Sequence, residues 1–384
     1  MGIAFTIRIG DRRLLLVGNP TSKSRVENQE IFDQKLGLCD RVPAMKNFWM
    51  KLPEPFFALA PLEDVTDAAF RRLIARYGKP DVMFTEFTSA DGLFYANSSG
   101  QAKLRAKLIF SNEERPIVAQ LFTASPERMK YAAEHVAKLD FDGIDINMGC
   151  PDKAVEKSGC GAALIKNPAL ARELIRAAGG VGLPVSVKTR IGYLTEELDT
   201  WLLELLAENL SAVTIHARTR KEMSDVPARW DTIARAVKIR DSLHSKTLII
   251  GNGDVRDIAD ARTKAEATGC DGVMLGRAIF GNPFLFSDSV YRRISRFRGL
   301  ACRSQSDRPS ESNNSREAKL KALAEHLKLF DELLSETASY ATMKKHFASY
   351  IKGWNGAKEL RARLMGTKNT AEALSILAGD IMKT

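Results

Sequence analysis

Cys150 sits between Gly149 and Pro151 at the end of an apolar run, and the proline forces the chain to turn there. A thiol at such a turn, in a water-poor pocket, can donate a proton near neutral pH. Cys160, farther along in a loop able to fold over the same place, is a second candidate thiol. Lys188 and His216 lie near the ends of two other apolar runs, and Gln120 lies in a third. A buried lysine is costly without a task. Gln120 can bond the carbonyl and N–H groups of a ring, and Lys188 suits a ring that gains negative charge. Two glycine-bearing turns, Gly251-Asn252-Gly253-Asp254 and Gly276-Arg277, let backbone N–H groups approach a phosphate whose charge Arg277 completes. One phosphate beside such a ring points to flavin mononucleotide, FMN. No Walker lysine is present, and Gly159-Cys160-Gly161 does not directly follow a strand pattern, so neither serves as a nucleotide fingerprint.

Regular elements must hold these groups together. From Pro55 onward, short apolar runs alternate with amphipathic stretches. The runs at 56–60, 81–87, 116–122, 142–148, 184–190, 211–217, 247–252 and 271–277 are nearly continuously apolar, as strands buried on both faces should be. Helical spacing appears at 67–77, 126–139, 168–178, 197–208, 230–240 and 257–268, with Ser125 and Asn167 as N-caps ahead of prolines. This alternation predicts an α/β fold, a (β/α)8 TIM barrel, rather than a doubly wound sheet. The open sheet would want a glycine fingerprint after its first strand, where the chain reads Pro61-Leu62-Glu63-Asp64. In a barrel, function collects at the C-terminal strand ends, and polar residues recur at every one. Glu63 and Asp64, Thr85 and Glu86, Gln120, Asn147, Lys188 to Arg190, His216 and Arg218, Asn252 and Arg277 stand there in turn. The two glycine turns follow strands seven and eight, the usual phosphate position.

The chain holds 57 Lys and Arg against 47 Asp and Glu, a net charge of +10, unevenly placed. Residues 291–384 hold 18 basic and 10 acidic residues, so a near-neutral body carries a basic tail. Residues 299–316 read as a polar linker, and 317–338, 340–352, 357–365 and 371–382 show helical spacing. This predicts a barrel over 45–298 and a small all-helical domain over 317–384. Lys344, Lys345, Lys352, Lys358, Arg361 and Arg363 face one acid, Glu359, within their window. Tyr340, Phe347, Tyr350 and Trp354 interleave with them, which suits phosphate contacts and base stacking, although Phe347 and Tyr350 fit the domain's own core better.

No run approaches the roughly 18 apolar residues of a membrane span, and the 45% apolar content excludes disorder overall. The five cysteines form no CxxC pair, which argues against a disulfide framework or a zinc site and for a reducing, cytoplasmic setting. Residues 1–44 show no pattern and are read as an N-terminal extension, non-native or disordered, with Met45 a candidate true start. Gly2 and Thr6 meet the loose myristoylation pattern without reinforcement nearby, and Glu27, Glu30, Asp33 and Asp40 speak against a transit peptide.

The motifs "APLEDVTDAAFR" (60–71), "DINMGCP" (145–151), "VKTRIG" (187–192), "TIHARTR" (214–220), "GNGDV" (251–255) and "GVMLGRAIFGNPFLF" (272–286) together resemble a tRNA-dihydrouridine synthase. The resemblance spans about 56 to 286, and the helical tail matches in character. It implies an FMN enzyme, reduced by NADPH or NADH, that saturates the C5=C6 bond of uridines in tRNA. By that resemblance Cys150 would protonate C5 while the flavin N5 delivers hydride to C6, and Asn147 would bond the uracil. Pro61, Leu62, Gln120, Lys188 and His216 would hold the flavin ring, and Asn252, Gly253, Asp254, Gly276 and Arg277 its phosphate end. Arg218 would lie near the flavin or the flipped base, and the basic helices would grip the tRNA. Leu62 stands where the family commonly has methionine, and Cys160 stands where it usually has no second cysteine. A uridine stacked in folded tRNA must be flipped out to reach such a site, at a cost of about a few kcal/mol.

Two other readings of the residues stay open. An FMN-dependent (β/α)8 reductase of a free pyrimidine would need no basic tail. A tRNA-binding chaperone with a vestigial site would not keep Cys150, Lys188, His216 and Arg277 together. A monomer is expected.

Overall fold

Eight parallel strands close into a barrel. The computed structural model describes residues 5–9, 12–16, 47–287 and 315–382. The barrel strands are β1 (Phe56–Leu59), β2 (Met83–Phe84), β3 (Ile117–Phe122), β4 (Gly143–Met148), β5 (Val185–Arg190), β6 (Ala212–His216), β7 (Leu248–Asn252) and β8 (Gly272–Leu275). They pair in sequence order, β8 pairs β1 with Leu275 opposite Leu59, and an Ala58–Val82 bridge closes the circle at β2. The connections between strands carry α1 (Ala68–Gly78), α2 (Ala90–Tyr95), α3 (Ser98–Lys107), α4 (Pro126–Lys138), α5 (Lys153–Lys157), α6 (Pro168–Gly179), α7 (Leu198–Leu206), α8 (Trp230–Ser242) and α9 (Ile258–Thr268). Ser125 and Asn167 cap α4 and α6 through their side chains, each ahead of a proline, as their sequence positions predict.

The predicted second strand, 81–87, needs correction. Only Met83–Phe84 stays in the sheet before the chain leaves it, and Thr88–Ser89 rejoins beside Leu121 and Phe122. Thr85 Oγ1 bonds the Glu86 carbonyl, and Glu86 Oε1 accepts the Asp64 N–H at 2.5 Å, so side chains replace ladder bonds there. The segment 1–44, whose sequence shows no pattern, contains two strands, Phe5–Ile9 and Arg12–Leu16, paired antiparallel with Phe5 opposite Leu16. The predicted linker falls almost wholly outside the described residues.

Side chains alternate along each strand between the barrel interior and the helical layer. Phe56, Ala58, Val82, Phe84, Val118, Ala212 and Ile250 fill the lower interior, beneath which Trp49 packs with its ring 5.9 Å from that of Phe56. Ile144, Ile146 and Met148 face the helices instead. At the lower end Asp81, Asp142 and Asp271 each accept an N–H from the first or second residue of a neighbouring strand, Phe57, Ile117 and Ile249. These bonds fix register on the face away from the strand ends that matter for function.

The tail forms α10 (Arg316–Leu334), α11 (Ala341–Tyr350), α12 (Ala357–Met365) and α13 (Thr370–Ile381). It packs on the barrel through α1. Phe70 stacks on His326 at 5.0 Å and lies 5.2 Å from His346, and Glu325 bonds Arg76 and Tyr77. Gly281, at φ +69°, comes so close to α11 that a Cβ would sit 2.0 Å from the Ser349 carbonyl oxygen. Phe347 and Tyr350 are fully buried, so they belong to the core, as expected. Among the described residues no helix is long and apolar enough to cross a membrane.

His326 is wholly buried and held neutral by that burial, with the nearby His346 adding to the effect. Its folded-state pKa is depressed, so below about pH 6.5 the unfolded chain takes up a proton that the fold refuses. Stability is therefore lost as pH falls. His326→Phe keeps the stack on Phe70 and should remove that loss, by at most about 1.4 kcal/mol per pH unit below 6.5. Melting curves at pH 7 and pH 5 check this; an unchanged pH dependence would contradict it.

Candidate active site

The upper interior of the barrel is polar where the lower interior is apolar. Strand β4 carries Asp145 and Asn147 inward, and the chain turns immediately after it. Asn147 Oδ1 accepts the N–H groups of Gly149 at 3.1 Å and Cys150 at 2.9 Å, so one amide oxygen shapes the turn. The Cys150 carbonyl accepts the Ala162 N–H at 2.9 Å. Gly161 lies at φ +59°, where a Cβ would approach that carbonyl oxygen to 2.7 Å. Arg190, from the end of β5, donates Nε to the Gly149 carbonyl at 2.8 Å. The Cys150 backbone is thus held from three directions while its side chain stays half-buried. Burial pushes the thiol pKa up, and the Asp152 charge adds to this against the Asp152 N–H, Arg190 and Lys188. The thiol form, a proton donor, prevails at neutral pH.

Strand β5 contributes Lys188, whose Nζ lies 3.4 Å from Asn252 Oδ1. Burial, with Arg190 beside it, lowers its pKa to about 8. Strand β6 ends at His216, which burial and the charges of Lys188, Arg190, Arg218 and Arg277 keep neutral. His216 Nε2 lies 3.1 Å from Arg218 Nη1. Since a guanidinium only donates, Nε2 is the acceptor and the imidazole proton sits on Nδ1.

After β7 the chain enters the first of the two glycine-bearing turns. Asn252 Nδ2 donates to the Met274 carbonyl at 2.8 Å. Gly253 has φ +126°, and a Cβ there would meet Ala228 Cβ at 2.8 Å and His216 Cδ2 at 3.1 Å, so glycine is required. Asp254 accepts from the Ala228 N–H at 2.9 Å, from Arg277 at 2.8 Å and from Arg218. Burial works against ionisation of Asp254, but these donors outweigh it and hold its pKa low. One carboxylate therefore orients both arginines. At Gly276, by contrast, a Cβ would make only ordinary contacts, with Ala60 Cβ at 3.7 Å and Leu62 Cδ2 at 4.0 Å.

A cavity of about 300 Å³ occupies this end of the barrel. Pro61, Leu62, Gln120, Lys188, His216, Asn252, Gly253, Asp254, Gly276 and Arg277 all line it, together with Cys150, Asn147 and Arg218. Cys160 does not; it is 1% exposed, with its sulfur 3.3 Å from Ser158 Oγ. Arg190, marked in the sequence as a strand-end residue, also lines the cavity, and so do Phe87 and Ser224, which the sequence does not single out. Phe87 ends the predicted second strand but is apolar, and Ser224 lies in a loop beyond β6, so a search for polar residues at strand ends finds neither. It misses Asp145 too, though inward parity with Asn147 on β4 marks that residue.

The six basic tail residues lie outside this cavity. Lys344 donates to the Met365 carbonyl, Arg361 to the Ile351 carbonyl and Arg363 to Asp380. Lys345 Nζ lies 2.6 Å from Asp64, on the loop after β1. Lys352 and Lys358 are exposed. Tyr340 bonds Thr367 and is half-buried, as is Trp354.

A family model described as dihydrouridine synthase (Dus) matches residues 58–384, the helical tail included. The chain is 42% identical over 334 residues to "Probable tRNA-dihydrouridine synthase 2" of Bacillus subtilis (strain 168), covering 86% of this chain and 96% of that protein. It is 40% identical over 334 residues to "Probable tRNA-dihydrouridine synthase" of Staphylococcus aureus (strain COL), covering 86% of this chain and 95% of that one.

Proposed function

The chain belongs to the dihydrouridine synthase family of enzymes, and from that premise we propose that it reduces the C5=C6 bond of uridines in tRNA, with FMN as cofactor, NADPH or NADH as reductant and Cys150 as proton donor. We place it in the cytoplasm with its substrate, as a monomer. The observation that carries this reading is a protonated, half-buried thiol sharing one cavity with a half-buried lysine and two glycine-bearing turns. The donor set fits FMN. Lys188 supplies positive charge, neutral His216 and the two amides offer hydrogen bonds, and the Gly276 backbone lines the cavity next to Arg277, where a phosphate would sit.

Bound and reduced, FMN would supply the hydride for C6 of the uracil. Gln120, Lys188, His216, Pro61 and Leu62 would hold its ring, and Asn252, Gly253, Asp254, Gly276 and Arg277 its phosphate end. Asn147 and Arg218 would orient the flipped base, and the Cys150 thiol would give its proton to C5. Lys344, Lys345, Lys352, Lys358, Arg361 and Arg363 are proposed as the grip on the tRNA backbone, where Lys352 and Lys358 are the most accessible.

Purified protein should carry or bind FMN, show its absorbance bleached by NADPH or NADH, and form dihydrouridine in tRNA taken from a strain lacking the gene. Mapping that tRNA identifies the position. Protein that never binds FMN would refute the reading. Turnover of a free pyrimidine without turnover of tRNA would favour the small-molecule reductase instead.

A further inference from the structure

Four buried side chains inside the barrel form a hydrogen-bond chain that can run in one direction only. At its upper end the N–H groups of Gly149 and Cys150 can only donate, so Asn147 turns its oxygen toward them. Asn147 Nδ2 then donates to Gln120 Oε1 at 3.0 Å. Gln120 Nε2 donates to Asp145 Oδ2 at 2.7 Å, and Ser186 Oγ donates to Asp145 Oδ1 at 2.6 Å. An ionised carboxylate only accepts, so the lower end is fixed as firmly as the upper one. Asp145, Gln120, Ser186 and Asn147 are 0%, 0%, 1% and 7% exposed, so water does not offer either amide an alternative. Among the described residues each amide keeps a second N–H without a partner, and both amides line the cavity.

We infer that Asp145 is a positioning residue that anchors the lower end of this chain, as the Gly149 and Cys150 N–H groups anchor the upper, so that Gln120 and Asn147 both hold N–H donors toward the cavity. The cavity is thereby committed to ligands bringing carbonyl oxygens, a dioxo ring rather than an aminopyrimidine. This rests on the flavin and uridine reading of the site, and it adds the reason why the amides face as they do. Burial pushes the Asp145 carboxyl up to about 6, against Ser186, Gln120 and the Lys188 charge, so at neutral pH it is the ion the chain requires. With a neutral partner at position 145, Gln120 would keep its oxygen on the Asn147 N–H but lose the charge-assisted bond that anchors its Nε2.

The paired substitution Gln120→Glu with Asp145→Asn separates positioning from packing. The carboxylate introduced at position 120 would accept both from Asn147 and from the amide introduced at position 145. That new amide would accept in turn from Ser186, so every buried bond is remade, but the N–H that position 120 offers the cavity is gone. The expected result is a melting temperature near that of the wild type, FMN binding weakened about tenfold or more, and loss of dihydrouridine formation. FMN affinity and tRNA turnover at wild-type values would overturn the inference. If the pair does not fold, Asp145→Asn alone serves, because it removes the charge that anchors Gln120 Nε2 at unchanged side-chain size. FMN affinity should then weaken several-fold while melting holds, and unchanged constants would overturn the inference. A wild type that binds FMN but leaves tRNA unreduced would remove the uridine reading while the variants still report on positioning.

Discussion

Replacing Cys150 with alanine is expected to leave FMN binding and its reduction by NADPH intact while dihydrouridine formation falls by about 10²–10⁴-fold, the usual weight of a positioned acid. The turn that presents the thiol is held through backbone groups, the Cys150 N–H to Asn147 and its carbonyl to the Ala162 N–H. Alanine keeps both bonds, so the variant removes the proton donor without reshaping the site. Cys150→Ser keeps the shape as well, but its hydroxyl is a far weaker acid and should not restore turnover. Cys160→Ala should change the rate little, because that thiol is buried away from the cavity. Because burial raises the Cys150 pKa, the acid form persists through neutral pH, and turnover should decline only as pH climbs past the usual thiol range. Single-turnover assays with pre-reduced enzyme separate the two half-reactions. Undiminished product from Cys150→Ala would end the proton-donor assignment.

The second large effect concerns the tRNA. Lys352 and Lys358 are exposed, and neither lines the cavity. Reversing both charges, Lys352→Glu with Lys358→Glu, should raise KM for tRNA about tenfold or more at physiological salt, with kcat and FMN affinity nearly unchanged. If each lysine meets a phosphate, the slope of log affinity against log salt should also shrink by about two units. Binding measured across a salt series reads that slope. An unchanged slope would place the grip elsewhere on the molecule. Lys345 and Arg363 are poorer choices for the same test, because Asp64 and Asp380 already engage them.

The barrel is legible in the sequence because strands buried on both faces are written as continuous apolar runs, and because caps such as Ser125 and Asn167 are local signals. β2 is legible in existence but not in extent, since its interruption depends on Glu86 reaching the Asp64 N–H, a contact that no periodicity encodes. The cavity residues stand out by their place at strand ends, and the alternation of inward positions puts them on one wall. Hidden from any local reading are partnerships across long separations. Asp254 binds Arg218 and Arg277, and Lys345 finds its acid in Asp64, near the start of the barrel. Counting acids only within a window around the basic helices misses both Asp64 and Asp380. The strands at the N-terminus escape because their alternation is short and mixed with charge.

The seam between α1 and the tail has a consequence for how the protein can be divided. Phe70 stacks on His326 and tilts against His346, and Glu325 ties down both Arg76 and Tyr77. The barrel helix has no solvent-ready version of that surface. Cutting the chain ahead of α10 would bare an apolar stripe on the catalytic half, and quality control in the cell would meet an aggregating barrel before it met an enzyme with weak affinity for RNA. The two halves are therefore expected to behave as one inherited object, in which the part proposed to hold the RNA also covers the part proposed to reduce it.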